Sequence, residues 1–232
     1  MKAIFFLLIC LIAPTSYCVA QDCLGMTFKS GMNYELSTFN AKDKPTGKLM
    51  YMVKDVRREG GSTVMNITAR FEDEKGKQQP PYTIQYTCTG DELVADMSGM
   101  MQSMQSGLKD AEMRLKSNRL VYPSKLSVGQ ILADGRMETE MLSKGTTLMT
   151  MSMTMSNRQV ESKSPVTTPA GTFDAYKVTS DMNFENRMMG IPVRGTIRTV
   201  SYRAANQLFD VKSETYNKSG KLMGYTLLTK AQ

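Results

Sequence analysis

From Met149 to Ser156 the chain alternates without interruption, with Met149, Met151, Met153 and Met155 separated by Thr150, Ser152 and Thr154. A repeat of two places four thioethers on one side of a strand and small hydroxyls on the other, and no helix sorts them this way. The same period recurs upstream. Met65, Ile67, Ala69 and Phe71 alternate with Val64, Asn66, Thr68 and Arg70. Leu49, Tyr51 and Val53 share one side of their segment, and Tyr82, Ile84, Tyr86 and Cys88 share one side of another. Polar clusters at 40–47, 59–61 and 73–77 separate these runs. Alternating segments joined by short turns predict an antiparallel meander with one face buried.

The second half reads similarly, with strands expected near 135–142, 146–161, 173–184, 196–202, 208–216 and 221–230. Turns are expected at Ser143-Lys144-Gly145, Ser164-Pro165, Pro169-Ala170-Gly171, 188–192 and 217–220. Residues 96–116 differ. Met97, Met100, Met101, Met104 and Leu108 fall at spacings of three and four, followed by Ala111, Met113 and Leu115. That spacing predicts an amphipathic helix, weakened at Gly99 and Gly107 by about 1 kcal/mol each. The expected fold is mainly β: a curved antiparallel sheet or half-barrel with one central amphipathic helix. It occupies 21–232 as a single domain, or as two β halves joined at about 96–116.

Lys2, the apolar run Ala3–Ala13, Pro14 and the small residues Cys18-Val19-Ala20 form a secretory signal peptide over 1–20. The expected location is therefore outside the cytoplasm, in a bacterial periplasm or at the cell surface. Of four cysteines, Cys23 and Cys88 follow that segment. In an oxidising compartment they suit a disulfide closing a loop of about 65 residues; the alternative is two separate buried thiols. Neither a CxxC pair nor a lipobox precedes them. No later run approaches the length of a membrane-spanning helix.

The formal net charge is +7, and its densest basic cluster, Lys42 to Arg58, is interrupted by Asp43 and Asp55. That pattern suits a solvated face and gives no nucleic-acid signature. There is no histidine. The commonest general base and metal ligand are thereby missing, and the remaining carboxylates sit mostly beside turns and lysines. The chain is read as non-enzymatic, with no cofactor and no metal site.

Its 21 methionines allow three readings. They can fill an irregular core under a curved sheet. Alternatively, Met149, Met151, Met153 and Met155 form one wall of an adaptable apolar cavity, with Met97, Met101 and Met104 on a helical lid. Such a surface suits a lipid-like molecule or an amphipathic peptide. Thioethers also suit Cu(I), although positions i and i+2 of a strand lie about 7 Å apart and no Cys or His joins them. A further alternative is an assembly protein that pairs with an envelope partner through open sheet edges.

Two C-terminal stretches, Thr168-Pro169-Ala170-Gly171-Thr172-Phe173-Asp174-Ala175-Tyr176-Lys177-Val178 and Tyr202 to Glu214, carry a family resemblance. With the entry segment Leu126-Ser127-Val128-Gly129-Gln130-Ile131-Leu132, they resemble the TapB-like family of exported β-rich bacterial proteins over roughly 120–230. The resemblance implies a strongly curved antiparallel sheet, as in lipoprotein-carrier half-barrels, and brings no catalytic residues with it.

Overall fold

The computed structural model describes residues 21–23, 25–90, 92–96, 98–99, 111–123, 125–188 and 190–232. Its first two strands, β1 (Gln21–Cys23) and β2 (Met26–Phe28), form a small hairpin. The first half continues as β3 (Asn33–Asn40), β4 (Pro45–Glu59), β5 (Ser62–Asp73), β6 (Tyr82–Cys88) and β7 (Glu92–Asp96). The second half contains β8 (Ala111–Pro123), β9 (Gly135–Ser143), β10 (Thr146–Thr168), β11 (Gly171–Met188) and β12 (Ile191–Ala204). Strands β13 (Lys212–Tyr216) and β14 (Leu222–Ala231) complete it.

Strands β3 to β14 pair antiparallel with their sequence neighbours, and β14 returns to β3 to close a barrel. The closing register sets Leu36 against Leu228 and Thr38 against Thr226. The mainly β, antiparallel expectation holds, and the sheet closes into a barrel rather than stopping at a half-barrel. Closure satisfies edges that an open meander would expose.

Two local expectations are corrected. The C-terminal part of the expected helix is β8: Met113 and Leu115 are half-buried while Glu112, Arg114 and Lys116 between them are exposed. The period had already changed from three-and-four to two at that point, and charged residues on alternate positions suit a strand. Met97, Met101 and Met104 lie outside the described residues. The turn expected at Ser164-Pro165 is also absent, because both residues continue β10 opposite Ala175 and Asp174. Pairing of β10 with β9 ends at Met155, so Pro165 sits where β10 has one strand partner and its missing N–H costs no ladder bond.

One part of the interior is filled. Val53, Met65, Ile67 and Ala69 are fully buried, joined by Leu36, Ile84, Leu93 and Leu228 from neighbouring strands. Phe209, from the connection between β12 and β13, stacks on Tyr51 at 4.1 Å and meets Tyr34 edge-on at 5.2 Å. The β1–β2 hairpin packs into the same core through Cys23, Met26 and Phe28. A disulfide joins Cys23 to Cys88, with Cα atoms 5.8 Å apart, and ties the hairpin to β6.

Candidate functional site

The strands differ in length, and that difference creates the site. Pairing of β7 with β8 ends at Ala95 opposite Leu120, whereas β8 begins at Ala111. Nine residues at about 3.3 Å each carry β8 roughly 30 Å further. On the other side, β13 meets β12 only from Arg198 onward, leaving Ile191–Ile197 ahead of it. Strands β8 to β12 therefore extend as a five-stranded sheet past their neighbours.

Residues opposite one another in a ladder share a face. The register sets Met149 beside Met141 and Met188, Met153 beside Met137 and Phe184, and Met155 beside Met182. Phe184 in turn faces Gly195, and Met182 faces Ile197. The Phe184 ring lies so close over Gly195 that a Cβ there would stand 2.0 Å from ring carbon. One largely apolar face thus runs across the extension, interrupted by Thr139 and Asn186 opposite Met151 and by Asn118 opposite Met137. Met149 to Met155 are half-buried, whereas Met188, Ile191 and Val193 are 59%, 70% and 61% exposed. The reverse face is polar, with Thr150, Ser152 and Thr154 flanked by the ion pairs Arg136–Glu138 (2.7 Å) and Lys116–Glu140 (3.1 Å).

Where the methionine stripe ends, the backbone changes register. Asn157 adopts a left-handed conformation (φ 51°) and the β10–β11 ladder shifts between Ser156 and Gln159. Its side-chain N–H donates to Asp181 Oδ2 at 2.8 Å, which anchors the bulge. In an unbroken alternation Met155 and Asn157 would face inward and Arg158 outward. The extra residue reverses this, and Arg158 and Val160 are 2% and 0% exposed. Asn tolerates the left-handed region and a β-branched residue does not. Asn157→Val is expected to cost about 1–2 kcal/mol, lowering the thermal midpoint by roughly 2–8 °C, with Asn157→Gly well below that cost. Thermal melting followed by circular dichroism checks both.

Arg158 points into a cavity of about 200 Å³ inside the barrel, continuous with the apolar face because Met155 and Met182 line it. Its Nη1 donates to the carbonyl oxygens of Val121 (3.0 Å) and Ala133 (2.5 Å). Among the described residues it has no carboxylate partner. Burial pushes its guanidinium pKa down from the ordinary value, opposed by the neighbouring Tyr122. Arg203 lines the same cavity, 4.1 Å above the Tyr122 ring centre, and its Nη1 pairs with Asp210 at 3.0 Å. Ser180, Thr199, Ser201 and Ser213 complete a wall of hydroxyls. Burial raises the Tyr122 phenol pKa, partly offset by Arg203. The cavity therefore holds two cations against one paired carboxylate.

Of the expected site residues, Met149, Met151, Met153 and Met155 come together with Met137, Met141, Met182 and Met188 on one face. Met97, Met101 and Met104 fall outside the described residues. Sequence reasoning missed Arg158 and Arg203. One signal was present, since Arg158 is the first charge after an uncharged run that begins at Gly145 and it falls where the alternation breaks. Among the described residues no group of three or more His, Cys, Asp or Glu side chains converges on a metal-sized site.

An antiparallel meander barrel, solid in one part and cationic and methionine-lined in the other, defines the class of protein. The DUF3108-like family matches residues 29–228, most of the chain, and the chain belongs to that family. The match covers all but the last residues of the 120–230 stretch of the TapB-like resemblance and extends well upstream, but the TapB-like name finds no support in it. No curated protein matches the chain. Among solved structures, one from Bacteroides fragilis, provisionally described as an exported protein with a YmcC-like fold, is similar at TM-score 0.67 and 20% identity. The similarity covers 89% of this chain and 98% of that one. A second, from Parabacteroides distasonis and provisionally described as a lipoprotein, is similar at TM-score 0.68 and 18% identity, covering 91% of this chain and 100% of that one. At these identities the likeness establishes a shared fold.

Proposed function

We propose that this is an exported, non-enzymatic envelope protein that holds an apolar or amphipathic ligand against the methionine face of β8 to β12. The observation that carries the reading is the continuity of that face across five strands. Its outer part, Met188, Ile191 and Val193, is more than half exposed. Exposed contiguous apolar area on a soluble domain marks a contact surface, and methionine adapts to partners of varied shape. Export is supported by the N-terminal 1–20 pattern, by the disulfide, and by the descriptions given to the two similar structures.

The test is titration with the apolar fluorophore N-phenylnaphthylamine. Saturable enhancement is expected, with affinity at least tenfold weaker after Met151→Glu with Met153→Glu. Binding that never saturates, or a double variant equal to wild type, sinks the reading. A second reading, assembly with an envelope protein, is favoured by one observation. The outer edges of β8 over 111–119 and of β12 over 191–197 carry no strand partner among the described residues. Unpaired edges template strand addition. Cross-linking in cells that captures one stoichiometric neighbour through those edges would favour it.

A further inference from the structure

We infer that Arg158, supported by Arg203, binds the anionic headgroup of an amphiphile whose apolar portion lies on the methionine face. This rests on the ligand-binding reading above and names the ligand's chemistry.

An arginine 2% exposed, without a carboxylate partner among the described residues, is costly to hold in a fold. Both of its hydrogen bonds leave from Nη1 to backbone carbonyls, so Nε and Nη2 have no protein acceptor among the described residues. Such a group is stable only where something satisfies it. Arg203 brings a second guanidinium to the same cavity; Asp210 pairs directly with Arg203, while Asp210 and Asp134 act on Arg158 only through space, without an ion pair or hydrogen bond to it among the described residues. An oxyanion with two or more oxygens matches the planar fork of an arginine side chain, and the surrounding hydroxyls can donate to its other oxygens.

A space of about 200 Å³ accepts a carboxylate or phosphate with a few atoms beyond it, but is below the size of a complete lipid site. The rest of the ligand must leave the cavity. Met155 and Met182 line it, and from them the methionine face continues along the ladder to Met149 and Met188. Those six residue steps span about 20 Å, the extended length of a long acyl chain. Charge at one end and adaptable apolar surface along the remainder is the complement of an anionic amphiphile.

The left-handed Asn157 bulge is what turns Arg158 inward, and it lies between the apolar stripe and the cavity. A fold needing only a filled barrel would place an apolar side chain there, as Val160 does two residues later.

The experiment compares dodecanoate, dodecyl phosphate, dodecanol and inorganic phosphate on the full mature chain, by calorimetry below micellar concentration. Both anionic amphiphiles are expected to bind at least tenfold tighter than dodecanol. Arg158→Met should abolish that preference while leaving dodecanol affinity within twofold, and Arg158→Lys should retain part of it. Because the methionine variant can fail to fold, the lysine variant and the effect of salt on wild-type affinity serve as independent readouts. Equal binding of dodecanol and the anionic probes overturns the headgroup site while sparing the apolar face. Inorganic phosphate binding as tightly as dodecyl phosphate overturns the amphiphile in favour of a free anion. No binding by any probe removes both this inference and the reading beneath it.

Discussion

Replacing Cys23 and Cys88 together by alanine is expected to lower the thermal midpoint by roughly 8–16 °C. Bridging residues separated by 65 positions removes about 4 kcal/mol of loop entropy from the unfolded chain in the chain-entropy model, and each kcal/mol moves the midpoint of a domain this size by about 2–4 °C. The bond also anchors structure. Strands β1 and β2 are three residues each, too short to persist as an isolated hairpin, yet Met26 and Phe28 are 7% and 3% exposed in the core. With the bond gone, fully exposing Phe28 costs a further 2–3 kcal/mol on the order of a buried aromatic side chain. Detachment should make the peptide bond after Lys29 sensitive to trypsin in the variant before global unfolding. A midpoint within 2 °C of wild type, with no new cleavage, would show that the hairpin stays docked by packing alone.

That bond was legible because two cysteines remained beyond the N-terminal segment, and pairing needed no knowledge of the fold. Strand faces were legible for the same local reason: Met65, Ile67 and Ala69, expected on one side of β5, are all fully buried. Two kinds of information were not local. Closure depends on β3 meeting β14, where Thr229 donates to the Glu35 carbonyl across 194 residues, and no periodicity encodes that partnership. The length of β10, 23 residues, was hidden because Pro165 imitates a turn when only chain neighbours are considered.

The site was legible in its apolar half only. Met149 to Met155 announce a face by simple alternation. Arg158 joins them through a single left-handed residue, and alternation carried past Asn157 assigns Arg158 and Val160 to the wrong side, up to a second register shift between Val160 and Ser162. Around 111–116 the error ran in the opposite direction. A three-and-four spacing that began at Met97 was extended over residues whose charges already alternated with Met113 and Leu115. In each case the informative residue was the one at which the period changed.

Alkaline titration should unfold the barrel between about pH 11 and 12. Burial raises the Tyr51, Tyr86 and Tyr122 phenols above their ordinary range; for Tyr51 the nearby Tyr82 and Asp210 add to this, whereas for Tyr86 and Tyr122 Arg203 opposes it. The fold therefore favours the protonated phenols. Their contribution is fully present below the unfolded-chain pKa near 10 and is lost as pH climbs from there toward the raised folded values. One fully buried phenol contributes about 1.4 kcal/mol per pH unit. Tyr86, 9% exposed, qualifies in full, whereas Tyr51 and Tyr122 are partly accessible and count for less, giving a total between about 1.4 and 4 kcal/mol per unit. At the upper slope, about 4 kcal/mol per unit, the low end of a net stability of about 5–15 kcal/mol is used up one to two units above pH 10. Circular dichroism should collapse together with the last increments of phenolate absorbance, because those phenols ionise only when the interior opens. Tyr216 makes the contrast: it lies half-buried beside Glu214 on β13, its pKa raised to about 12 by burial and then by its hydrogen bond to Glu214, and because this phenol is partly accessible Tyr216→Phe should move the alkaline transition upward by less than Tyr86→Phe does. Tyr86→Phe should move it upward by several tenths. If the β signal persists unchanged at pH 12 while every phenol ionises, the aromatic interior is open to solvent and the filled half of the barrel is not the rigid support on which the Arg158 cavity depends.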